Sequence, residues 1–329
     1  LPVIDLKKLK TIAKELSSLE QDIAKIEELN VAIVQKNIKQ HVISTENNLI
    51  QTNTSMYALH VEAIALNEEG SKIRGTSSWI GKDISSLPPM EVLRKESLEM
   101  IDFVIAQKSA PIEEDYLGPV LFSPEASVEL FRQLLPKEIS ANPPLNQPPD
   151  FLGEVQMVIP DSRVGRRLLP EGWDVIDDPV SNKKLDASYL YDDQGVAAQK
   201  VLVIENGVVK NLLMSRIPRE GFDKSTGHAR MLRSKRAVPM QSNVFITPNK
   251  NHSMKKLQKK GLRLAQQADL DYILYVRHIT PLSLNEDFEI AFSGDGPLAG
   301  LTRPLEVVRL YKDGHEEIVR GMQFVGVNR

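Results

Sequence analysis

Asn206-Gly207, set between Val201–Glu205 and Val208–Leu213, constrains the fold of this chain more than any other dipeptide in it. Both residues tolerate positive φ. A two-residue hairpin needs that, because only the mirror-image turns match the right-handed twist of the strands they join. The two β-rich segments must therefore run back on each other as an antiparallel pair. Leu305–Tyr311 and Glu316–Arg320 flank Asp313-Gly314 in the same manner. Between the two hairpins, Ser253–Gln267 reads as an exposed basic helix. The second half of the chain is thus expected to be rich in antiparallel sheet.

The first half reads differently. Leu6–Leu16 and Leu19–Ile26 have the spacing of two short amphipathic helices, with Ser18 as the expected N-cap of the second. Val31–Ile38, His41–Thr45 and Tyr57–Leu66 read as strands. Leu59, Val61, Ala63 and Ala65 fall on one face at period two, and His60 and Glu62 on the other. Asn67-Glu-Glu-Gly70 is a turn. Met90–Ala106 is a helix with Leu93, Ile101, Val104 and Ile105 along one side, bounded by Pro88-Pro89 and Pro111. Ala141–Asp150 holds four prolines and cannot continue a helix or a central strand.

Composition sets limits rather than answers. With 329 residues, 41% of them hydrophobic, a sizeable core and two domains are expected. The divisions are 1–110 and 111–329, the Pro-rich loop 141–150 lying in the second. The formal net charge is −3, which gives no global reason to seek nucleic acid or an anionic membrane. No apolar run approaches the roughly 20 residues of a membrane span. There is no Cys, so neither a disulfide nor a Cys-ligated metal can form within these residues. That fits a reducing compartment, and a cytoplasmic location is expected. The chain begins at Leu1, so a processed N-terminus is also an expectation.

A longer concatenation identifies a relationship. Asp192-Asp193-Gln-Gly195 with Ala198-Gln199 is followed by Glu205-Asn206-Gly207, then by Thr226-Gly227-His228 with Arg230 and by Pro239-Met-Gln-Ser-Asn243. Arg303–Tyr311, Asp313-Gly314 and Val319-Arg-Gly321 complete the order. This series, from about Ile43 to Val327, resembles the TldD/PmbA peptidase family, once called modulators of DNA gyrase. The resemblance implies an α+β fold: an N-terminal α/β region, then a C-terminal domain on a curved, mostly antiparallel, barrel-like sheet with helices. It also implies a dimer enclosing a groove for an extended peptide. Against that pattern the chain is expected to lack the start of the N-terminal region and the final strands of the C-terminal one.

The family's active members carry His-Glu-x-x-x-His at a helix start, where two imidazoles bind zinc and the Glu acts on the attacking water. In the most natural register those positions are Ser123, Pro124 and Val128; a shift by one residue supplies Pro124 and Glu129. Neither register contains an imidazole. The family's third ligand, a Cys, would lie beyond Arg329. The segment makes good sense as a helix start instead: Ser123 as N-cap, Pro124 at the first helical position, Glu125 at the positive end. Val128, Leu130 and Phe131 are then expected on its apolar face. A different cation site would use Glu125 and Glu129, one helical turn apart, together with His228.

The turn Ser225-Thr226-Gly227-His228, with Arg230, lies near the substrate groove in the family. Thr226, Gly227, His228, Arg230 and Asn243 are therefore the peptide-groove candidates. His228 suits a general base or a carbonyl-orienting role, and equally a hydrogen-bonded turn. Asn243 with Val244 and Phe245 suits either a groove-lining strand or an ordinary one. The cations of Arg230–Arg236 and of Lys250–Arg263 are not interleaved with aromatic rings, so a solvated face or a groove for acidic peptides fits better than nucleic acid. Gly294-Asp-Gly296 and Asp192-Asp193 are read as turns.

Three functions stay open. The chain is a catalytically silent subunit paired with a zinc-bearing TldD-like partner, a peptidase with a non-standard metal site, or a peptide-binding homodimer. No cofactor of its own is expected.

Overall fold

The computed structural model describes residues 5–19, 25–141, 163–231, 237–281 and 301–325. The Pro-rich run after Ala141, Gly294-Asp-Gly296 and most of the cations of 230–236 lie outside them. The expected α+β class holds: helices pack on sheets whose strand pairs are antiparallel except one. Each sheet among the described residues is open. No helix of the described residues is long and apolar enough to cross a membrane.

The N-terminal part is a three-stranded meander covered by two helices. Helix α1 (Leu6–Ser17) precedes strands β1 (Glu28–Ile43), β2 (Leu49–Leu66) and β3 (Lys72–Gly81), and α2 (Met90–Gln107) follows. The second helix expected over Leu19–Ile26 lies largely outside the described residues, and Ser18 is not its N-cap. Ser18 closes α1, its hydroxyl donating to the Glu15 carbonyl at 2.7 Å. Leu59, Val61, Ala63 and Ala65 are fully buried, as their alternation requires, against Ile12, Leu16, Leu93, Ile101 and Val104. At Gly75 of β3 the helix comes so close that a Cβ would stand 2.4 Å from Val104 Cγ2.

β1 and β2 form one unbroken ribbon, paired from Glu28–Ile64 to Ile43–Leu49. The sequence divided β1 in two and started the second strand at Tyr57. The polar run Gln51–Ser55 hid the rest. Its strand conformation comes from backbone pairing and from cross-strand contacts such as Ser55 Oγ donating to Asn37 Oδ1 at 2.7 Å. The ribbon's tip reaches the second half of the chain, where Glu46 pairs with Arg216. There Ile50 and Val42 lie against Gly195.

The C-terminal part holds two four-stranded sheets. One has the order β10–β5–β6–β7, from β5 (Trp173–Asp177), β6 (Val201–Glu205), β7 (Val208–Val209) and β10 (Val244–Pro248). Asn206 (φ 49°) and Gly207 (φ 79°) make its expected tight turn. β7 stops at Val209 rather than Leu213, because the N–H groups of Lys210 and Asn211 both turn back to the Val203 carbonyl. Leu213 instead exchanges backbone hydrogen bonds with Ile139 and Ala141. Two short strands, β8 (Ala229–Met231) and β9 (Ala237–Pro239), pair beside this sheet.

The other sheet has the order β13–β12–β11–β4, from β4 (Val120–Phe122), β11 (Tyr272–Ile279), β12 (Pro304–Tyr311) and β13 (Glu316–Val319). Its β12–β13 hairpin turns at Gly314 as expected, and β4 runs parallel to β11. Two helices pack on it, α3 (Pro124–Ile139) and α4 (Met254–Gln267). α4 exposes Lys255, Lys256, Lys259 and Lys260 and fully buries only Ala265.

α3 starts as its sequence requires. Ser123 Oγ accepts from Ala126 N–H at 3.0 Å and donates to the Arg277 carbonyl at 2.7 Å, tying the helix start to β11. Val128 corrects the expected apolar face: it is 67% exposed, and α3 buries Ala126, Gln133, Leu135 and Ile139 instead. Replacing Ser123 by Ala removes the cap and leaves the Arg277 carbonyl without this donor. A loss of about 1–2 kcal/mol in unfolding free energy is expected in urea titration, whereas Val128→Ala should change it little.

Candidate functional site

The motif residues converge on one buried polar knot where β5, β8, β10 and the 178–199 crossing meet. Asp177, the last residue of β5, is its centre. One carboxylate oxygen accepts from His228 Nε2 at 2.9 Å and from the Ser242 hydroxyl; the other accepts from Ser242 N–H at 2.7 Å. His228 Nδ1 lies 2.9 Å from both the hydroxyl and the carbonyl of Thr226. Asp177 and His228 are both completely shielded from solvent.

The acidic pair Asp192-Asp193 ties the crossing to β8. Asp192 accepts from the N–H groups of Gln194 and Val196, closing its own turn, and from Ala229 N–H at 3.1 Å. Asp193 accepts from Met231 N–H at 2.7 Å and pairs with Arg230. The Arg230 guanidinium carbon lies over the Tyr189 ring, 3.4 Å from its centroid. The Tyr189 hydroxyl donates to the Gly227 carbonyl at 3.0 Å. Burial holds that hydroxyl above the ordinary phenol range, against the pull of Arg230. Asn243 donates to the Asp178 carbonyl and to the Ser188 hydroxyl.

All five groove candidates therefore lie in one network, but not on one open surface. His228 has both ring nitrogens engaged inside the protein, and Gly227 is buried with φ +70°. Thr226, Arg230 and Asn243 are partly exposed, and all three bond inward. Asp177, Tyr189 and Ser242 were not singled out in the sequence. The only signal was Asp177-Asp178-Pro179 at the end of an apolar strand.

The open concavity lies elsewhere. A cleft of about 1020 Å³ separates β3 and α2 from the first turns of α3 and the adjoining ends of β11 and β12. Glu125 and Glu129 line it; His228 does not. The cation site of Glu125, Glu129 and His228 is thus not assembled, because Asp177 holds the imidazole inside the knot. Glu129 is further engaged by Arg132 at 2.7 Å and by Gln133 at 2.6 Å. Among the described residues, no three His, Asp or Glu side chains come together in a way that could hold a metal ion.

The histidine that does face the cleft is His278, at a bulge in β11, with Nδ1 3.2 Å from Glu306 Oε2. This hydrogen bond raises its pKa, the negative charges of Glu306 and Glu125 adding, while burial and Arg277 act in the opposite direction. Across the cleft, Trp79 Nε1 donates to Glu96 at 2.8 Å.

A zinc ion does not fit the helix start that the resemblance assigns to it. The Ser123 hydroxyl is committed to the backbone, Pro124 has no donor atom and Val128 is a hydrocarbon.

The family model described as the PmbA/TldA metallopeptidase C-terminal domain matches residues 115–296. A metalloprotease of Methanothermobacter thermautotrophicus is 23% identical over 254 residues, which are 75% of this chain and 51% of that protein. The chain therefore spans about half the length of that relative. Among solved structures, a protein described as a modulator of a DNA gyrase from Thermotoga maritima superposes with a TM-score of 0.60 at 17% identity. The match covers 94% of this chain and 67% of that one. TldE from Thermococcus kodakarensis gives 0.58 at 17% identity, over 95% of this chain and 63% of its own.

Proposed function

Because the chain belongs to the PmbA/TldD family of metallopeptidase-like proteins, we propose that it is a non-catalytic, PmbA-type subunit of a peptide-processing assembly. One observation carries this reading. At the helix start where active members hold zinc, Ser123, Pro124 and Val128 supply no ligand, and Ser123 is used as a cap.

In this reading hydrolysis takes place on a zinc-bearing TldD-like partner, where the metal would activate water. This chain supplies rigid walls that hold an extended peptide in place. Positioning alone can account for a large part of a rate, with no catalytic atom donated. The polar knot serves this role by fixing β5, β8 and β10 relative to one another. The division into units over 1–110 and 111–329 belongs to the same proposal.

The test is elemental analysis of the purified chain together with a peptidase assay, with and without a zinc-bearing homologue. Substoichiometric zinc and hydrolysis only in the mixture are expected. Near-stoichiometric zinc, with hydrolysis by this chain alone that a chelator abolishes, would overturn the proposal.

A further inference from the structure

We propose that the cleft beside β3 binds an extended polypeptide segment carrying lysine or arginine side chains, laid along the free edge of that strand. The inference rests on the peptide-handling reading above and adds the side-chain class.

The placement follows from strand geometry. Thr76, Ser77, Ser78 and Trp79 all line the cleft. Successive residues of a strand point to opposite faces, so four in a row can meet one cavity only along the strand's edge. β3 is the last strand of its sheet among the described residues, so that edge carries backbone donors and acceptors without a strand partner. Exposed edges are usually blunted by lysine, proline or a bulge. Residues 76–79 include neither, and their register with β2 is unbroken. An added strand is the natural complement of such an edge.

The charge follows from the walls. Glu96, Glu99, Asp102, Glu125, Glu129 and Glu306 line the cleft, against Arg277 and His278 as its cationic groups. Both cations are already matched, Arg277 by Glu316 and His278 by Glu306. A concave, partly apolar wall in which one sign predominates focuses its field on whatever enters. The Trp79 ring and the Phe103 side chain offer surface for the methylene stems of lysine or arginine. An acidic or neutral segment finds the same backbone edge without the electrostatic gain.

The experiment uses the full chain and fluorescence anisotropy at low salt. The probes are three labelled, acetylated heptapeptides in which alanine alternates with lysine, glutamine or glutamate. The lysine peptide should bind about tenfold more tightly than the glutamine peptide, the worth of two or three exposed ion pairs. The glutamate peptide should bind least. Glu99→Gln, Asp102→Asn and Glu125→Gln together should erase the preference. All three residues are exposed, and Glu125→Gln alone provides a milder second variant. N-methylation of alternate amides in the lysine peptide should abolish binding.

Equal affinity for the three probes would overturn the proposal, as would a lysine preference unchanged in both variants. Retained binding of the N-methylated peptide would remove the edge of β3 from it. None of these results bears on zinc content or on the need for a partner, so the two readings fail separately.

Discussion

Asp177→Ala is expected to lower the unfolding free energy by about 3–5 kcal/mol, the cost of breaking a buried pair by removing one member. The carboxylate serves the fully buried His228 ring and the part-buried Ser242 hydroxyl and N–H. Alanine leaves these donors without that acceptor, and the His228 ring is out of reach of bulk water. Each orphaned group carries its own desolvation penalty of about 1–3 kcal/mol, relieved only where neighbours rearrange. A urea or guanidinium titration measures the change. His228→Ala should be destabilising as well, and the double variant should cost less than the sum because both substitutions remove the same hydrogen bond. A single-variant loss below about 1 kcal/mol, the range of ordinary surface changes, would show that the knot does not hold these strands together.

Gly227→Ala is the second large effect. The residue sits at φ +70°, and a Cβ there would stand 2.2 Å from the Ala197 carbonyl oxygen. That neighbour is backbone, so it cannot swing aside as the end of a long side chain would. Left-handed strain of about 1–2 kcal/mol and overpacking of about 1–3 kcal/mol together predict a loss of about 2–5 kcal/mol. Gly70→Ala is the control. It has φ +78° with nothing within 4 Å of the added carbon, so only the conformational cost remains. Equal losses at the two sites would mean that the close approach to Ala197 is not felt.

The features that the sequence made legible are those encoded within a few residues. Asn206-Gly207 and Asp313-Gly314 specify their hairpins through φ alone. Pro88-Pro89 and Ser123-Pro124 mark where α2 and α3 begin, because the fixed φ of proline and the capping of Ser123 are both local. The rest depends on partners far along the chain. The polar stretch Gln51–Ser55 is a strand because β1 pairs with it, and β3 contains Thr76-Ser77-Ser78, whose own pattern is not that of a strand. Ser18 illustrates the converse: a good capping residue type found at the opposite end of a helix.

The site was legible in the same uneven way. Thr226, Gly227, His228, Arg230 and Asn243 do come together. Of these, His228 takes as its partner Asp177, 51 residues earlier, and nothing local marks that carboxylate as the acceptor. With that partner known, His228 belongs to the protein interior. Glu125 and Glu129 line one cleft, but the histidine that lines it with them is His278, brought there by a bulge with no sequence signature.

The β1–β2 ribbon has a consequence for the order of folding. Its strands are neighbours in sequence and can zip within microseconds. Its tip contact, Glu46 with Arg216, joins residues 170 positions apart. The chain must close that long loop before the contact contributes any stability, so docking of the tip belongs among the late events. Until then, the outer part of the ribbon stands as an isolated two-stranded hairpin, marginal in water. The ribbon is thus a clasp between the two halves of the chain, and its fastening waits on a long loop closure.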